Sequence, residues 1–88
     1  MTYEGWENYE TWNVALSINN EESFYNLAVG FMSTYKGFQP YMAFTTRNRM
    51  RLGITTTNRV NWHNRTLDYE ALDEMMWELA PNGARQVQ

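Results

Sequence analysis

The sequence predicts a mainly α fold, a compact bundle of about four helices in which one segment can instead form a short β-hairpin before the last helix. Three observations support this prediction. Apolar residues recur at helical spacing, cap-forming residues precede them, and Gly or Pro follows them. A chain of 88 residues has the size of one domain, so we expect residues 1–88 to share one core, with 81–88 as a frayed tail.

The first helix is predicted from about Tyr9 to Asn19. Asn8 is a favourable N-cap, and Glu10 in the first turn interacts favourably with the helix dipole. We expect Asn13 and Ser17 to face solvent. The other positions form a broad apolar arc, which suits a helix packed between neighbours: Trp12, Val14, Ala15, Leu16 and Ile18.

The second helix is predicted to begin at Asn20, a cap residue that two acids follow, and to run to about Thr34, with Gly37 ending it. Its apolar residues recur at the spacing of one helix face: Phe24, Leu27, Ala28, Phe31 and Tyr35. Because the first helix is predicted to end at Asn19 and the second to begin at Asn20, the connection between them is short and implies a sharp turn.

The third helix is predicted to open at Pro40, because Pro is well tolerated at the first helical position, and to run to about Met50. Gly53 is then a natural C′ residue. The competing prediction is a strand from Arg49, because residue types alternate there and β-branched residues follow. In the favoured prediction a short extended segment follows the helix, and a turn at Thr57-Asn58 could lead it into residues 60–62 as a small hairpin.

The last helix has the clearest signals. Leu67 and Leu72 are spaced as a hydrophobic staple around an Asp68 N-cap. Pro81 and then Gly83 stop the helix. Its buried stripe is predicted as Leu72, Met75, Met76 and Leu79.

Two segments carry a recognisable pattern. Residues 8–16 are Asn-Tyr-Glu-Thr-Trp-Asn-Val-Ala-Leu, and residues 67–76 are Leu-Asp-Tyr-Glu-Ala-Leu-Asp-Glu-Met-Met. They resemble a family of small proteins from bacteriophages, cyanobacteria and other bacteria that share an N-Y-E-T-W-x-V-x-L motif and close with an acidic helix. The family is known as a domain of unknown function, and its frequency in phages implies a small viral or mobile-element accessory protein. Where relatives tend to have Thr-Pro-Asp-Gly-Val before a Trp, residues 56–60 are Thr-Thr-Asn-Arg-Val.

The charges are segregated along the chain. Residues 1–35 carry five acids and no base, residues 36–65 carry six bases and no acid, and residues 66–88 carry five acids and one base. The blocks of −5, +6 and −4 give the net charge of −3. The basic block, which begins at Lys36, contains the candidate partner-binding residues: Arg47, Arg49, Arg51, Arg59, Arg65 and Trp62.

The basic block has three interpretations. Its arginines could bind nucleic-acid phosphates while Trp62 or Tyr41 stacks on bases, although a pI near 5.0 argues against that use. The acidic flanks could instead fold against the block and neutralise it. It could also bind a protein, because Arg, Trp, Tyr and Met are enriched at protein interfaces.

The last helix provides a secondary candidate surface. Acids spaced four residues apart lie on one face of a helix. Such an acidic face is ordinarily in contact with solvent, but its carboxylates could locally mimic the phosphates of a nucleic acid. Patches of opposite charge also permit head-to-tail self-association, so the oligomeric state stays open. The acidic residues are Glu70, Asp73, Glu74 and Glu78.

The residue types argue against an enzyme. His63 is the only histidine, there is no cysteine, and the five glycines are too scattered for a phosphate-binding loop. We therefore expect no catalytic residue, no metal and no cofactor. The absence of a long apolar run and of a leader predicts a cytoplasmic protein without a membrane partner.

The sequence therefore favours a non-enzymatic accessory protein of the phage type. Such a protein would bind a host or defence protein and inhibit or modulate it by occlusion. The alternative is a nucleic-acid-binding module that uses the central arginines.

Overall fold

The computed structural model describes residues 2–81. Within that range the chain is mainly helical and contains no sheet, so the predicted fold class is confirmed. Of the predicted tail 81–88, only Pro81 is among the described residues. The predictions that Gly83 helps to stop the last helix and that the tail frays concern residues outside that range. The helices are α1 (Tyr9–Asn20), α2 (Glu22–Met32), α3 (Pro40–Arg47), α4 (Arg49–Leu52) and α5 (Tyr69–Leu79).

Two of the predicted N-caps, Asn8 and Asp68, are confirmed. The side-chain oxygen of Asn8 accepts a hydrogen bond of 2.9 Å from the backbone N–H of Thr11. The Asp68 carboxylate accepts one of 3.1 Å from the backbone N–H of Ala71. These bonds satisfy amide groups that have no partner inside their own helix.

A single residue, Glu21, joins α1 and α2. Its backbone is extended (φ −88°, ψ 114°), and it both ends α1 and precedes α2. The prediction of Asn20 as the cap of the second helix is therefore wrong, because Asn20 is the last residue of α1. The second helix also ends earlier than predicted, at Met32, and Tyr35 lies beyond it.

The predicted third helix is broken at Asn48 (φ −114°, ψ 20°). The side chain of Asn48 donates a hydrogen bond of 3.0 Å to the carbonyl oxygen of Phe44, which is the local bonding that makes Asn unfavourable inside helices. The chain then forms α4, so the competing strand from Arg49 is wrong. Gly53 follows α4 with φ 79°, as a C′ glycine does.

The predicted hairpin is reduced to one isolated antiparallel bridge, between Thr55 and Asn61. The backbone N–H of Thr56 donates to the carbonyl oxygen of Val60 at 2.8 Å. Arg59 lies in this turn with φ 69°, the left-handed region that normally favours glycine.

The described helices enclose one hydrophobic core. α5 packs against α3 and α2, and α1 packs against α2. The prediction that Met75 and Met76 belong to the core is confirmed. The apolar residues of the core with no exposed area are Val14, Ile18, Ala28, Met32, Tyr41, Phe44, Leu72 and Met76.

Asn13 does not face solvent as predicted, because it is 1% exposed. The loop before α5 folds over this side of α1. The Asn13 side chain donates to Oδ1 of Asn58 at 2.9 Å and accepts from the Thr56 hydroxyl at 2.6 Å. Buried polar groups need such partners, so these bonds attach the loop to α1.

Candidate functional site

All the cations of the basic block are exposed, so the protein does not neutralise the block by burying it. The block therefore presents its charge to solvent through Lys36, Arg47, Arg49, Arg51, Arg59 and Arg65.

Trp62 and Tyr41 are not available for stacking on a base, which corrects the prediction for both. Trp62 is 3% exposed, donates its indole N–H to the carbonyl oxygen of Leu52 at 3.2 Å, and packs edge-on against Phe24. The Tyr41 hydroxyl donates to the carbonyl oxygen of Trp62 at 2.7 Å. Burial, and secondarily the nearby Tyr69, raises the pKa of Tyr41 far above its ordinary value.

The structure assigns the candidate arginines to two regions. Arg59 and Arg65 belong to the loop before α5, which is attached to α1 by the Asn13–Asn58 bond and by a bond of 2.7 Å from Asn8 to the Thr66 carbonyl oxygen. The other three lie at the end of α3 and on α4: Arg47, Arg49 and Arg51.

Arg47 lies against two aromatic rings, one near the end of α2 and one just beyond it. The central carbon of its guanidinium lies 5.7 Å from the ring centre of Phe31 and 6.0 Å from that of Tyr35. These two rings stack on each other at 5.2 Å. Contacts of this kind are favourable, and the C-terminal turn of α3 also favours a cation at this position. The guanidinium is therefore oriented before any partner arrives.

Exposed apolar side chains accompany these arginines, and the sequence prediction did not identify them as site residues. Phe38 is 96% exposed, Met50 95% and Ile54 78%. Exposed apolar side chains mark an interaction surface where they form a contiguous patch, whereas a single exposed apolar residue is ordinary. We call the following residues the α3–α4 surface: Phe38, Met42, Arg47, Arg49, Met50, Arg51 and Ile54.

Two shallow grooves lie beside the end of α3. They are neighbours, because Arg47 lines the first, Phe31 lines the second, and these two side chains are in contact. The first, which we call the Arg47 groove, is lined by Tyr35, Phe38, Gln39, Met42, Ala43, Thr46 and Arg47. The second, the Arg51 groove, is lined by Ser23, Asn26, Leu27, Gly30, Phe31, Asn48 and Arg51.

Tyr35 forms a fixed wall of the Arg47 groove. Its hydroxyl accepts a hydrogen bond of 3.1 Å from the backbone N–H of Gln39, and its ring also packs near Trp77 at 6.0 Å. The ring passes so close to Gly37 that a β-carbon there would collide with the Tyr35 hydroxyl. A side chain at position 37 would therefore require the Tyr35 ring to move.

The predicted acidic face of α5 is incomplete, because Asp73 is half-buried and engaged. Its carboxylate accepts a hydrogen bond of 2.9 Å from the backbone N–H of Tyr41, whereas Glu70, Glu74 and Glu78 are exposed. Burial raises the pKa of Asp73; the Tyr41 bond lowers it, and repulsion from Glu70 and Glu74 raises it further.

His63 lies 2.7 Å (Nε2) from the hydroxyl oxygen of Thr45, a distance that a catalytic base and its nucleophile could also show. The Thr45 side chain is only 2% exposed, and its hydroxyl is also 3.1 Å from the carbonyl oxygen of Tyr41. The contact thus attaches the loop to α3 and presents no accessible hydroxyl to a substrate.

Two further observations concern the part of the chain that the structure describes. No group of three or more His, Asp or Glu side chains there could hold a metal ion. None of its helices has both the length and the hydropathy that crossing a bilayer requires.

Comparison with protein families agrees with the resemblance in the sequence. A model described as "Family of unknown function (DUF7249)" matches residues 1–85. The chain belongs to this family. No curated protein matches the chain significantly. The same holds for solved structures. Membership in DUF7249 covers nearly the whole chain but assigns no activity, so function has to be argued from the α3–α4 surface.

Proposed function

We propose that this protein is a non-enzymatic binding module that attaches to another protein through the α3–α4 surface. One observation carries the proposal: Phe38 and Met50 are almost fully exposed and Ile54 is largely exposed, on the same segment as three exposed arginines. Burying these side chains against a partner would remove apolar area from water, at roughly 25 cal/mol per Å². Arginine at the same surface adds directional bonds to acceptors.

The exposed apolar side chains favour a protein over a nucleic acid. Nucleic-acid surfaces are recognised through phosphate contacts and through aromatic stacking on bases. The two aromatic residues expected to stack, Trp62 and Tyr41, are buried. On the α3–α4 surface Phe38 could stack on a base, whereas Met50 and Ile54 have no comparable use on a phosphate backbone.

The proposed mode of action is occlusion. A chain this small has no evident catalytic group, so it would alter its partner by covering part of it. We propose that it acts as an accessory protein of the phage type in the cytoplasm of a bacterial cell, where the partner is a host or defence protein. The resemblance of residues 8–16 to phage proteins supports this context.

A capture experiment with matched variants tests the proposal. The wild type, the double variant Phe38→Ser/Met50→Ser and the control Tyr25→Ser are immobilised and incubated with lysate of a bacterial host. Tyr25 is also exposed but lies on α2, outside the α3–α4 surface. We expect the wild type and the control to retain the same protein and the double variant to lose it. Equal retention by all three would contradict the proposal, and so would the absence of any retained protein.

The nucleic-acid alternative is tested separately, because the arginines remain exposed. If they bind phosphates, affinity for a DNA or RNA oligonucleotide falls steeply with salt, and changing Arg47, Arg49 and Arg51 to Gln flattens that dependence. We expect no retardation in a gel at low salt.

A further inference from the structure

We propose that the Arg47 groove recognises an acidic protein segment in which an apolar side chain stands next to a carboxylate. This inference rests on the proposed function and specifies the chemistry of the partner. The groove offers two neighbouring features for such a segment, an apolar wall and an oriented cation.

The apolar part of the groove is formed by Tyr35, Phe38 and Met42. Phe38 is almost fully exposed and Met42 partly so, which means that their apolar area is still in contact with water. Aromatic and methionine side chains adapt well to an inserted apolar group. One phenylalanine or leucine of a partner would cover both side chains.

The cationic part is Arg47. Its guanidinium lies against the Phe31 and Tyr35 rings, which restricts its rotamers and reduces the entropy lost on binding. An arginine that stacks on aromatic rings can still bind a carboxylate through two parallel N–H donors.

Charge complementarity identifies the occupant as acidic. The residues that line the Arg47 groove include no acid, and Arg47 is the charged residue among them, so the groove itself presents a positive charge to an occupant. A carboxylate beside an apolar side chain matches both parts of the groove. A nucleic acid would supply the negative charge without the apolar group, and a second copy of this chain would offer the acids of α5.

The test uses three synthetic peptides and the full chain. The first peptide has a central Phe flanked by Glu residues; the second replaces the flanking Glu by Gln, and the third replaces the Phe by Ser. Binding is followed by ¹H–¹⁵N NMR titration, which reports both affinity and location. We expect the first peptide to bind about tenfold more tightly than either control, with shifts at Phe38, Met42 and Arg47.

Two protein variants separate the contribution of Arg47 from general attraction. Arg47→Gln should lower affinity for the Glu-Phe-Glu peptide about tenfold, because it removes the charged bonds to the carboxylate. Arg65→Gln removes an exposed charge in the other region and should change affinity less than twofold. Equal loss in both variants would overturn the inference, because it would indicate unspecific charge attraction.

Other outcomes also decide the matter. Equal binding of the Glu and Gln peptides, no binding of any peptide, or tighter binding of an oligonucleotide each overturns the acidic specificity. Salt-sensitive dimerisation in sedimentation experiments, blocked by Arg47→Gln, would assign the groove to a second copy and overturn it as well. In each case the capture experiment with Phe38→Ser/Met50→Ser remains a separate test of the proposed function.

Discussion

The Asp73 carboxylate on α5 accepts a hydrogen bond of 2.9 Å from the backbone N–H of Tyr41 at the start of α3. Gln39, the residue before α3, makes no side-chain cap bond. The first turn of α3 is thus capped by a side chain from another helix, where a negative charge also suits the helix dipole. This contact makes the position of α3, and with it the groove, dependent on α5.

Changing Asp73 to Ala should destabilise the protein by about 1 kcal/mol, because the Tyr41 N–H loses its acceptor. Asp73→Asn keeps an acceptor oxygen and should have a much smaller effect. Urea denaturation of both variants measures the difference. A loss as large in Asp73→Asn as in Asp73→Ala would show that the charge, and not the hydrogen bond, is essential.

The contribution of Asp73 to the stability of the protein should change with pH in a definite direction. The folded state holds the Asp73 proton more tightly than the unfolded chain, because burial raises the pKa above 3.8. Its contribution to stability is therefore present below pH 3.8 and is lost as the pH rises through the raised pKa. We expect wild type to lose stability relative to Asp73→Asn over this range. A constant difference between the two from pH 3 to 7 would refute this.

The buried network on α1 gives a third prediction. Thr56→Val removes the hydroxyl that bonds to Asn13 and that accepts from the backbone N–H of Val60 at 3.2 Å. Because Asn13 stays buried without that partner, we expect a loss of about 1–3 kcal/mol in the free energy of unfolding. The control Thr57→Val, at an exposed neighbour, should change it by less than about 0.5 kcal/mol.

Arg59 should be replaceable by glycine with a gain in stability. A non-glycine residue in the left-handed region costs about 1–2 kcal/mol, and replacing it with glycine removes this cost. Glycine also makes the unfolded chain more flexible, which lowers the free energy of unfolding and offsets part of the gain in stability. We expect Arg59→Gly to stabilise the protein by about 0.5–1 kcal/mol, as measured by thermal and urea unfolding. Arg59→Ala removes the same charge without relieving the strain, and stabilisation by it would argue against this explanation.

Gly37→Ala should disturb the Arg47 groove, because the new methyl group displaces the Tyr35 ring from Gln39. We expect a loss of about 1–3 kcal/mol in stability and weaker binding of the Glu-Phe-Glu peptide. Gly30→Ala is the matched control. Its β-carbon meets no atom within 4 Å, and inside α2 it should stabilise by about 0.5–1 kcal/mol. Unchanged Tyr35 resonances in Gly37→Ala would contradict the prediction.

The sequence predicted best what is decided locally. Asn8 and Asp68 cap their helices through bonds that span three residues, and the staple residues Leu67 and Leu72 are both buried as their spacing indicated. Pro40 opens α3 for the same kind of reason, because its fixed φ suits the first helical position.

Contacts between residues that are far apart in the sequence could not be predicted from local patterns. Asn13 was expected to face solvent, but its partners Thr56 and Asn58 come from a loop more than forty residues away. Trp62 lies between the polar residues Asn61 and His63, so its local sequence suggested exposure; its burial depends on Phe24 and Leu52.

The candidate site was predicted only in part. The segregated charges identified Arg47, Arg49 and Arg51, which are exposed at the end of α3 and on α4. Phe38 and Met50 were missed because a single apolar residue in a sequence is ordinarily expected in the core, and no pattern distinguishes one that is left outside.

The single-residue joint at Glu21 has a consequence for how this surface adapts to a partner. A connection this short leaves no hinge, so α1 and α2 should move as one rigid body. The longer segment 33–39 connects α2 to α3; its Tyr35 ring is held by Phe31, Trp77 and the Gln39 N–H, whereas the exposed Phe38 is the part of the segment that is free to adjust. Induced fit on binding would therefore be confined to this segment, and hydrogen exchange should slow there while it stays unchanged across the α1–α2 corner.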